Sequence, residues 1–248
     1  MAKNVLLNNI EHRDLRVITR YAAEYGDNVA TAMIVPTEFG DIQREYPIFF
    51  RHDAESDSFT AIVLLGLQKD ENLFLDEKGW NASYVPAVLA RGPFFIGFQQ
   101  QTVNGQPQNV PVVNLDIEHV RVSKTEGEPL FKADGTNTAY LERIANMLNA
   151  IGVGMDVSKP MFEAFKAAGL IEPVKLEIKL NSEEQYDLHG MFTINQQKLA
   201  NLDAETLHSL HRSGYLQGAF LVASSLSNVQ RLIELKARRR HRQAEIAS

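Results

Sequence analysis

Apolar positions along the chain follow two rhythms. Val174, Leu176, Ile178 and Leu180 alternate with Lys175, Glu177 and Lys179, a period of two that predicts a strand with one face buried and the other in water. Residues 181–185 read as a turn and 186–194 as the antiparallel return. Before this hairpin, residues 29–35, 46–50, 59–67, 93–98 and 110–117 are runs rich in β-formers. The run 59–67 carries no helical stripe and is closed by Gly66 and the charges at 69–71, which suits a buried central strand. The glutamine-rich stretch 99–109, with Gly105 and Pro107, reads as an exposed turn, and 84–91 as a short helix stopped by Gly92-Pro93.

The second rhythm is helical. Leu141, Ile144, Ala145, Leu148 and Ile151 recur at three and four residues, with Thr138 as cap and Gly152 as stop. Ser158-Lys159-Pro160 opens a second helix that carries Phe162 and Phe165 and ends at Gly169. Asp203 caps a helix with Leu207 and Leu210 on its apolar side, ending at Gly214. Residues 215–223 read as a further strand, and Ser227 to Gln230 match a capping box before a last helix striped by Val229, Leu232 and Ile233. The order predicts an α+β fold with a largely antiparallel sheet: a β-rich N-terminal half, then α-α-β-β-α-β-α. No internal repeat and no long polar linker forces a cut, so residues 1–248 read as a single domain, with a soft boundary near 125–135.

Composition narrows the function. The 248 residues are 44% hydrophobic and contain no cysteine, which removes intrinsic disorder, disulfide scaffolds, thiolate metal sites and cysteine nucleophiles. There is no 18-residue uncharged apolar run, so no membrane-spanning helix is expected. Nor does the opening sequence hold the apolar stretch of a secretory signal, and a cytoplasmic location is the simplest expectation. The formal net charge is −6, yet residues 236–242 carry five positive charges; without 236–248 the rest holds 20 basic against 30 acidic residues, a net of −10. An acidic body disfavours nucleic acid as a partner. The basic tail reads as a solvated helix end whose cations complement the dipole, or as a contact for phosphates, anionic lipid or an acidic partner.

Candidate chemistry is sparse. His12 lies in the polar cluster 11–14, where a carboxylate-oriented imidazole could act as a general base. Asp116 and Glu118 straddle Ile117 and would share one strand face, a pairing that serves acid–base work or a divalent cation. Glu205, His208 and His211 repeat at three-residue spacing on a predicted helix, but a di-iron site needs a second such motif and the chain has none. No phosphate-binding glycine loop, nucleophile elbow or His-Glu-x-x-His is present. No cofactor is expected. The segment that gathers Trp80, Tyr84, Arg91, Phe94 and Phe95 around two prolines is different, because aromatics beside an arginine suit a small ligand or a protein partner. Its bland reading is a hydrophobic corner between strands.

The same residues carry a family resemblance. Tyr46-Pro47-Ile48-Phe49-Phe50, Leu64-Leu65-Gly66, Tyr84-Val85-Pro86 and Arg91-Gly92-Pro93-Phe94 resemble the SapC family of bacterial proteins. Glu128-Pro129-Leu130-Phe131, His189-Gly190-Met191-Phe192-Thr193-Ile194 and Ser224-Ser225-Leu226-Ser227-Asn228 follow in the family's order, so the likeness runs from about residue 12 to 235. The family takes its name from a surface-layer gene cluster, and its members are often encoded beside outer-membrane nutrient receptors and flavin-dependent halogenase-like proteins. The resemblance brings no catalytic residues with it. Together with the missing catalytic signatures, the aromatic–arginine segment and the absent secretory signal, it leads to the expectation of a non-catalytic cytoplasmic accessory or binding protein of an envelope, surface-layer or nutrient-uptake system. The alternative is an enzyme acting on a peptide or small aromatic substrate through His12, Asp116 or Glu118. A homodimer through the last helix is a further expectation.

Overall fold

The computed structural model describes residues 3–103, 106–181 and 184–247. In chain order the first elements are β1 (Asn4–Leu6), β2 (Arg16–Val17), β3 (Thr31–Met33), α1 (Phe39–Ile42), β4 (Ile48–Asp53) and β5 (Ser58–Leu64). Then come β6 (Leu75–Asp76), β7 (Gly79–Trp80), α2 (Ala87–Ala90), β8 (Phe94–Val103), β9 (Gln106–Asp116), β10 (Val122–Ser123) and β11 (Glu128–Pro129). The remainder is α3 (Ala139–Ala167), β12 (Ile171–Lys179), β13 (Gln185–Ile194), α4 (Gln196–Ala200), α5 (Ala204–Arg212), α6 (Tyr215–Ser225) and α7 (Asn228–Ala247). The α+β class with antiparallel sheets is what the sequence predicts. Among the described residues, no helix is long and apolar enough to cross a membrane.

The chain forms two compact units, each built from two stretches of sequence. Unit 1 comprises Met1–Tyr21 and Ala87–Val153, and unit 2 comprises Ala22–Pro86 and Gly154–Ser248. None of these limits falls in 125–135.

In unit 1, β9 lies between β1 and β8, and β2 lies between β10 and β11, all antiparallel. Val17, Phe94, Leu115, Leu130 and Phe131 pack with Leu141, Ile144 and Leu148 in one core, so the helical stripe read from the sequence buries as expected. The stretch 99–109 departs from the reading as a turn: the ladder runs on to Val103↔Gln106, with residues 104–105 outside the described set. Residues 98–100, 102 and 106–109 are exposed, and a ribbon with solvent on both faces needs no apolar alternation, so its sequence looks like a loop.

In unit 2 five antiparallel strands run in the order β12-β13-β4-β5-β3, and β5 is interior, as its uninterrupted apolar run implies. The β12 side chains from Val174 to Lys179 alternate between partly or fully buried and exposed. Phe50 meets Phe162 edge-on at 4.9 Å between ring centroids, and Phe59 stacks on Phe162 at 5.8 Å. The C-terminal part of α3 thereby covers the sheet, at a geometry that adds to the area buried.

Two readings of the C-terminal half are corrected. The helices predicted either side of Gly152 are one, α3, with Pro160 inside it. Gly154 does not stop the helix but lets it approach: a Cβ there would lie 2.6 Å from Val35 Cβ and 2.7 Å from Thr37 Oγ1. Pro160 is therefore an interior proline, whose lost hydrogen bond is offset by burial of Met161, Phe162 and Phe165 around it. The predicted strand 215–223 is helix α6. Its exposed positions Gln217, Phe220 and Ser224 form a helical stripe opposite buried Ala219, Val222 and Ser225. Ser225 Oγ accepts from Ile48 N at 2.9 Å, so the helix satisfies an amide at the start of β4. The order after the first half is thus α-β-β-α-α-α-α.

The basic tail is also resolved into contacts. Lys236 Nζ donates to Glu71 Oε1 at 2.6 Å, and both residues are buried. Arg239 donates to the carbonyls of Asn72 and Leu75 at 2.8 and 2.6 Å, and Arg240 pairs with Glu184 at 2.8 Å. These partners all lie in unit 2. The face of α7 that carries Leu232, Lys236 and Arg239 is spent there.

Candidate functional site

The five residues of the aromatic–arginine segment divide between the units. In unit 2, Trp80 Nε1 donates to Tyr46 Oη at 2.8 Å, Tyr46 Oη donates to the Tyr84 carbonyl, and Tyr84 Oη donates to Glu38 Oε2 at 2.9 Å. Glu38 is buried, and its other oxygen accepts from Val35 N at 2.9 Å. Burial first, and the Glu38 carboxylate second, push the Tyr84 phenol well above its ordinary pKa. Trp80 and Tyr84 therefore close a polar network that ties the 80–84 strand-and-turn onto the residues around Tyr46.

In unit 1, Arg91 donates to the Phe94 carbonyl and its guanidinium stands 4.2 Å from the Phe95 ring centroid. Burial lowers the Arg91 pKa. Phe94 is fully buried and meets Tyr140 at 6.1 Å between centroids.

Tyr140 opens onto a cleft of about 270 Å³ that the sequence did not disclose. Its walls come from five places in unit 1, one of them Glu128 of β11. Val17 ends β2 and Ile18, Thr19 and Tyr21 follow it, Leu89 and Ala90 end α2 with Gly92 just beyond, Arg121 precedes β10, and Tyr140, Arg143, Ile144 and Met147 share one face at the start of α3. Thr138 caps that helix, accepting from Leu141 N at 3.3 Å while donating to the Pro129 carbonyl at 2.8 Å. Arg121, only 4% exposed, is locked to the segment that follows β2: Ile18 N donates to its carbonyl at 2.9 Å, and its Nη1 donates to the carbonyls of Ile18 and Arg20. Gly127 permits this close approach. Its φ is +93°, and a Cβ would fall 2.2 Å from the Val17 carbonyl oxygen.

The cleft is cationic and aromatic. The Arg121 guanidinium stands 5.4 Å from the Tyr21 ring centroid, and that of exposed Arg143 stands 6.0 Å from Tyr140. Burial, then the neighbouring Tyr21, raises the Tyr140 phenol, so it stays a protonated hydrogen-bonding group at neutral pH. Among the described lining residues the one carboxylate is exposed Glu128. Two arginines against one carboxylate, over an apolar floor of Val17, Leu89, Ile144 and Met147, favour an anion with apolar surface.

None of Trp80, Tyr84, Arg91, Phe94 and Phe95 lines this cleft, although Phe94 meets Tyr140 behind it, and the sequence reading did not single out Tyr21, Arg121, Tyr140 or Arg143. One usable signal was Tyr140-x-x-Arg143-Ile144-x-x-Met147, a mixed face at helical spacing. Another was Arg121 between two valines.

The other candidates do not gather. His12 is buried, and its Nδ1 accepts from Asn8 N at 3.1 Å, clipping the turn 8–12. Asp116 and Glu118 do not share a strand face, because β9 ends at Asp116. The Asp116 carboxylate accepts from Glu118 N at 3.2 Å and from Lys3 N at 2.9 Å, and so closes the turn that carries Glu118. Glu205, His208 and His211 are exposed on α5. Among the described residues no group of three or more His, Cys, Asp or Glu is placed to hold a metal ion. A wider groove of about 480 Å³ in unit 2 sets Arg51, Lys69 and His189 against Asp70 and Asp187, so its charges largely balance.

No curated protein matches the chain, and no solved structure does. The family model described as SapC matches residues 7–232 of the 248, and the chain belongs to the SapC family.

Proposed function

We propose that this protein is a non-catalytic, cytoplasmic accessory protein of a bacterial envelope, surface-layer or nutrient-uptake system, and that it binds through the arginine–tyrosine cleft of unit 1. Family membership points to the system. One observation carries the binding role: Tyr21, Arg121, Tyr140 and Arg143 converge on a single cleft whose positions are fixed by backbone hydrogen bonds. The enzymatic alternative gains no support from His12 and Asp116, which lie apart: His12 Nδ1 accepts from Asn8 N and Asp116 Oδ1 from Lys3 N and Glu118 N.

The test is affinity capture from native cell extract with the full chain and an Arg143→Glu variant, with mass spectrometry of retained proteins and small molecules. Arg143 is exposed, so the charge reversal leaves the core intact. Loss of a stoichiometric companion with the variant supports the reading. A companion retained equally by both chains sinks the cleft as its seat.

A further inference from the structure

We infer that the ligand of the unit 1 cleft is a small aromatic carboxylate; this rests on the reading of the cleft as the binding seat. Size comes first. At about 270 Å³ the cleft lies below the usual range of roughly 300–1,000 Å³ for pockets that take drug-sized molecules, so the ligand is about one ring with short substituents. The lining then sets its chemistry. Two tyrosine rings and the side chains of Leu89, Ile144 and Met147 offer aromatic and apolar surface, which a bare inorganic anion would leave unused. Two guanidiniums oppose one carboxylate, which disfavours a cation or a neutral hydrocarbon.

The burial of the two arginines orients the ligand. Arg121 is buried, with Nη1 committed to the Ile18 and Arg20 carbonyls, so it acts as a fixed positive wall. Arg143 is exposed above the Tyr140 ring, just past the first turn of α3. The ligand ring therefore packs between Tyr21, Tyr140 and Met147, and its carboxylate meets Arg143 at the mouth. Glu128, on the same mouth, is the ligand's competitor for that charge.

The experiment uses the full chain with methyl-labelled methionine, following the Met147 signal by NMR during titration with benzoate, benzamide, acetate and inorganic phosphate. Benzoate is expected to shift Met147 at millimolar concentration, and Arg143→Gln to weaken it about fivefold, the scale of one exposed charge pair. Glu128→Gln is expected to tighten it about threefold by removing the opposing charge. Benzamide, which keeps the ring and loses the charge, and acetate, which keeps the charge and loses the ring, are each expected to bind at least about tenfold more weakly. Phosphate, acetate or benzamide binding as well as benzoate overturns the inference, as does an Arg143→Gln variant with unchanged benzoate affinity. If no probe binds while Arg143→Glu still abolishes capture from extract, the ligand class is wrong and the cleft remains the seat. If capture is also unaffected, both fall.

Discussion

Cutting the ion pair under helix α7 should unfold unit 2 far more readily than neutralising a surface charge. Lys236 and Glu71 are 8% and 5% exposed, and their charged atoms are 2.6 Å apart. The second Glu71 oxygen accepts from Leu67 N at 3.0 Å, and the ammonium lies 5.0 Å from the Tyr186 ring centroid. In Lys236→Met the carboxylate keeps that one amide and loses its counter-ion. In Glu71→Ala the ammonium is left against the Tyr186 ring, and the buried Leu67 amide loses its acceptor. Each single change should cost about 3–5 kcal/mol, because it leaves one uncompensated buried charge. The double variant Glu71→Gln/Lys236→Met restores neutrality and keeps an acceptor for Leu67, so it should lie within about 1 kcal/mol of the parent and be clearly more stable than either single variant. The single tryptophan, Trp80, sits in unit 2, so its fluorescence through a urea titration reports the affected unit. A buried pair is weakly screened, and the cost should persist in about 1 M salt, where the Debye length is about 3 Å. Both single variants falling within about 0.5 kcal/mol of the parent, the range of ordinary surface substitutions, would refute the latch and return the tail to a solvated helix end.

Three further outcomes follow from the same structure. Burial pulls the Lys236 pKa down, but its hydrogen bonds to Glu71 and Tyr186 more than compensate, so it stands above the ordinary 10.5. The stability it supplies is therefore complete below pH 10.5 and lost as pH rises through the folded-state value, and a melting series from neutral to strongly alkaline pH should fall at its upper end less steeply for Lys236→Met. Thr193 Oγ1 is buried in β13 without a hydrogen-bond partner among the described residues, so Thr193→Val should stabilise unit 2 by about 1 kcal/mol; a lower urea midpoint would contradict this. Gly127→Ala should cost unit 1 more than about 2 kcal/mol, since it meets both a positive φ and a backbone clash. Faster hydrogen exchange at Ile18, whose amide bonds the Arg121 carbonyl, would show it, and unchanged protection there would count against it.

What the sequence disclosed depended on how local each cause was. The hairpin of β12 and β13 was legible because alternation over seven residues has one structural reading. The Asp203 cap was legible too, and its carboxylate accepts from Thr206 N at 2.9 Å. Helix α6 was misread because Phe220-Leu221-Val222 looks like a strand when its exposed phenylalanine is assumed to be buried. The division of α3 was misread because a proline at a helix start and one inside a helix look alike, and the demand on Gly154 comes from Val35, over a hundred residues earlier. The cleft was hidden for the same reason. Its arginines and tyrosines come from positions 21, 121, 140 and 143, and only the last two are neighbours in sequence.

The placement of positive charge changes what the protein's acidity means. Read along the sequence, cations concentrate at 236–242 and suggest a hook for phosphate, lipid or an acidic partner. In the structure Lys236, Arg238, Arg239 and Arg240 are matched by Glu71, Glu234, the carbonyls of Asn72 and Leu75, and Glu184. Lys236 and Arg240 are neutralised at short range, while Arg238 pairs at 3.9 Å on the surface and Arg239 bonds neutral carbonyls. The arginines of the unit 1 cleft lie instead beside tyrosine rings, with one exposed carboxylate among the lining residues. The cleft therefore offers an anionic ligand positive charge beside aromatic and apolar surface, on a chain whose net charge is −6. Deleting 236–248 to test recruitment would consequently measure the loss of the Glu71 counter-ion before it measured anything about partners. Arg143→Glu separates the two, because it reverses charge at the cleft and leaves the latch untouched.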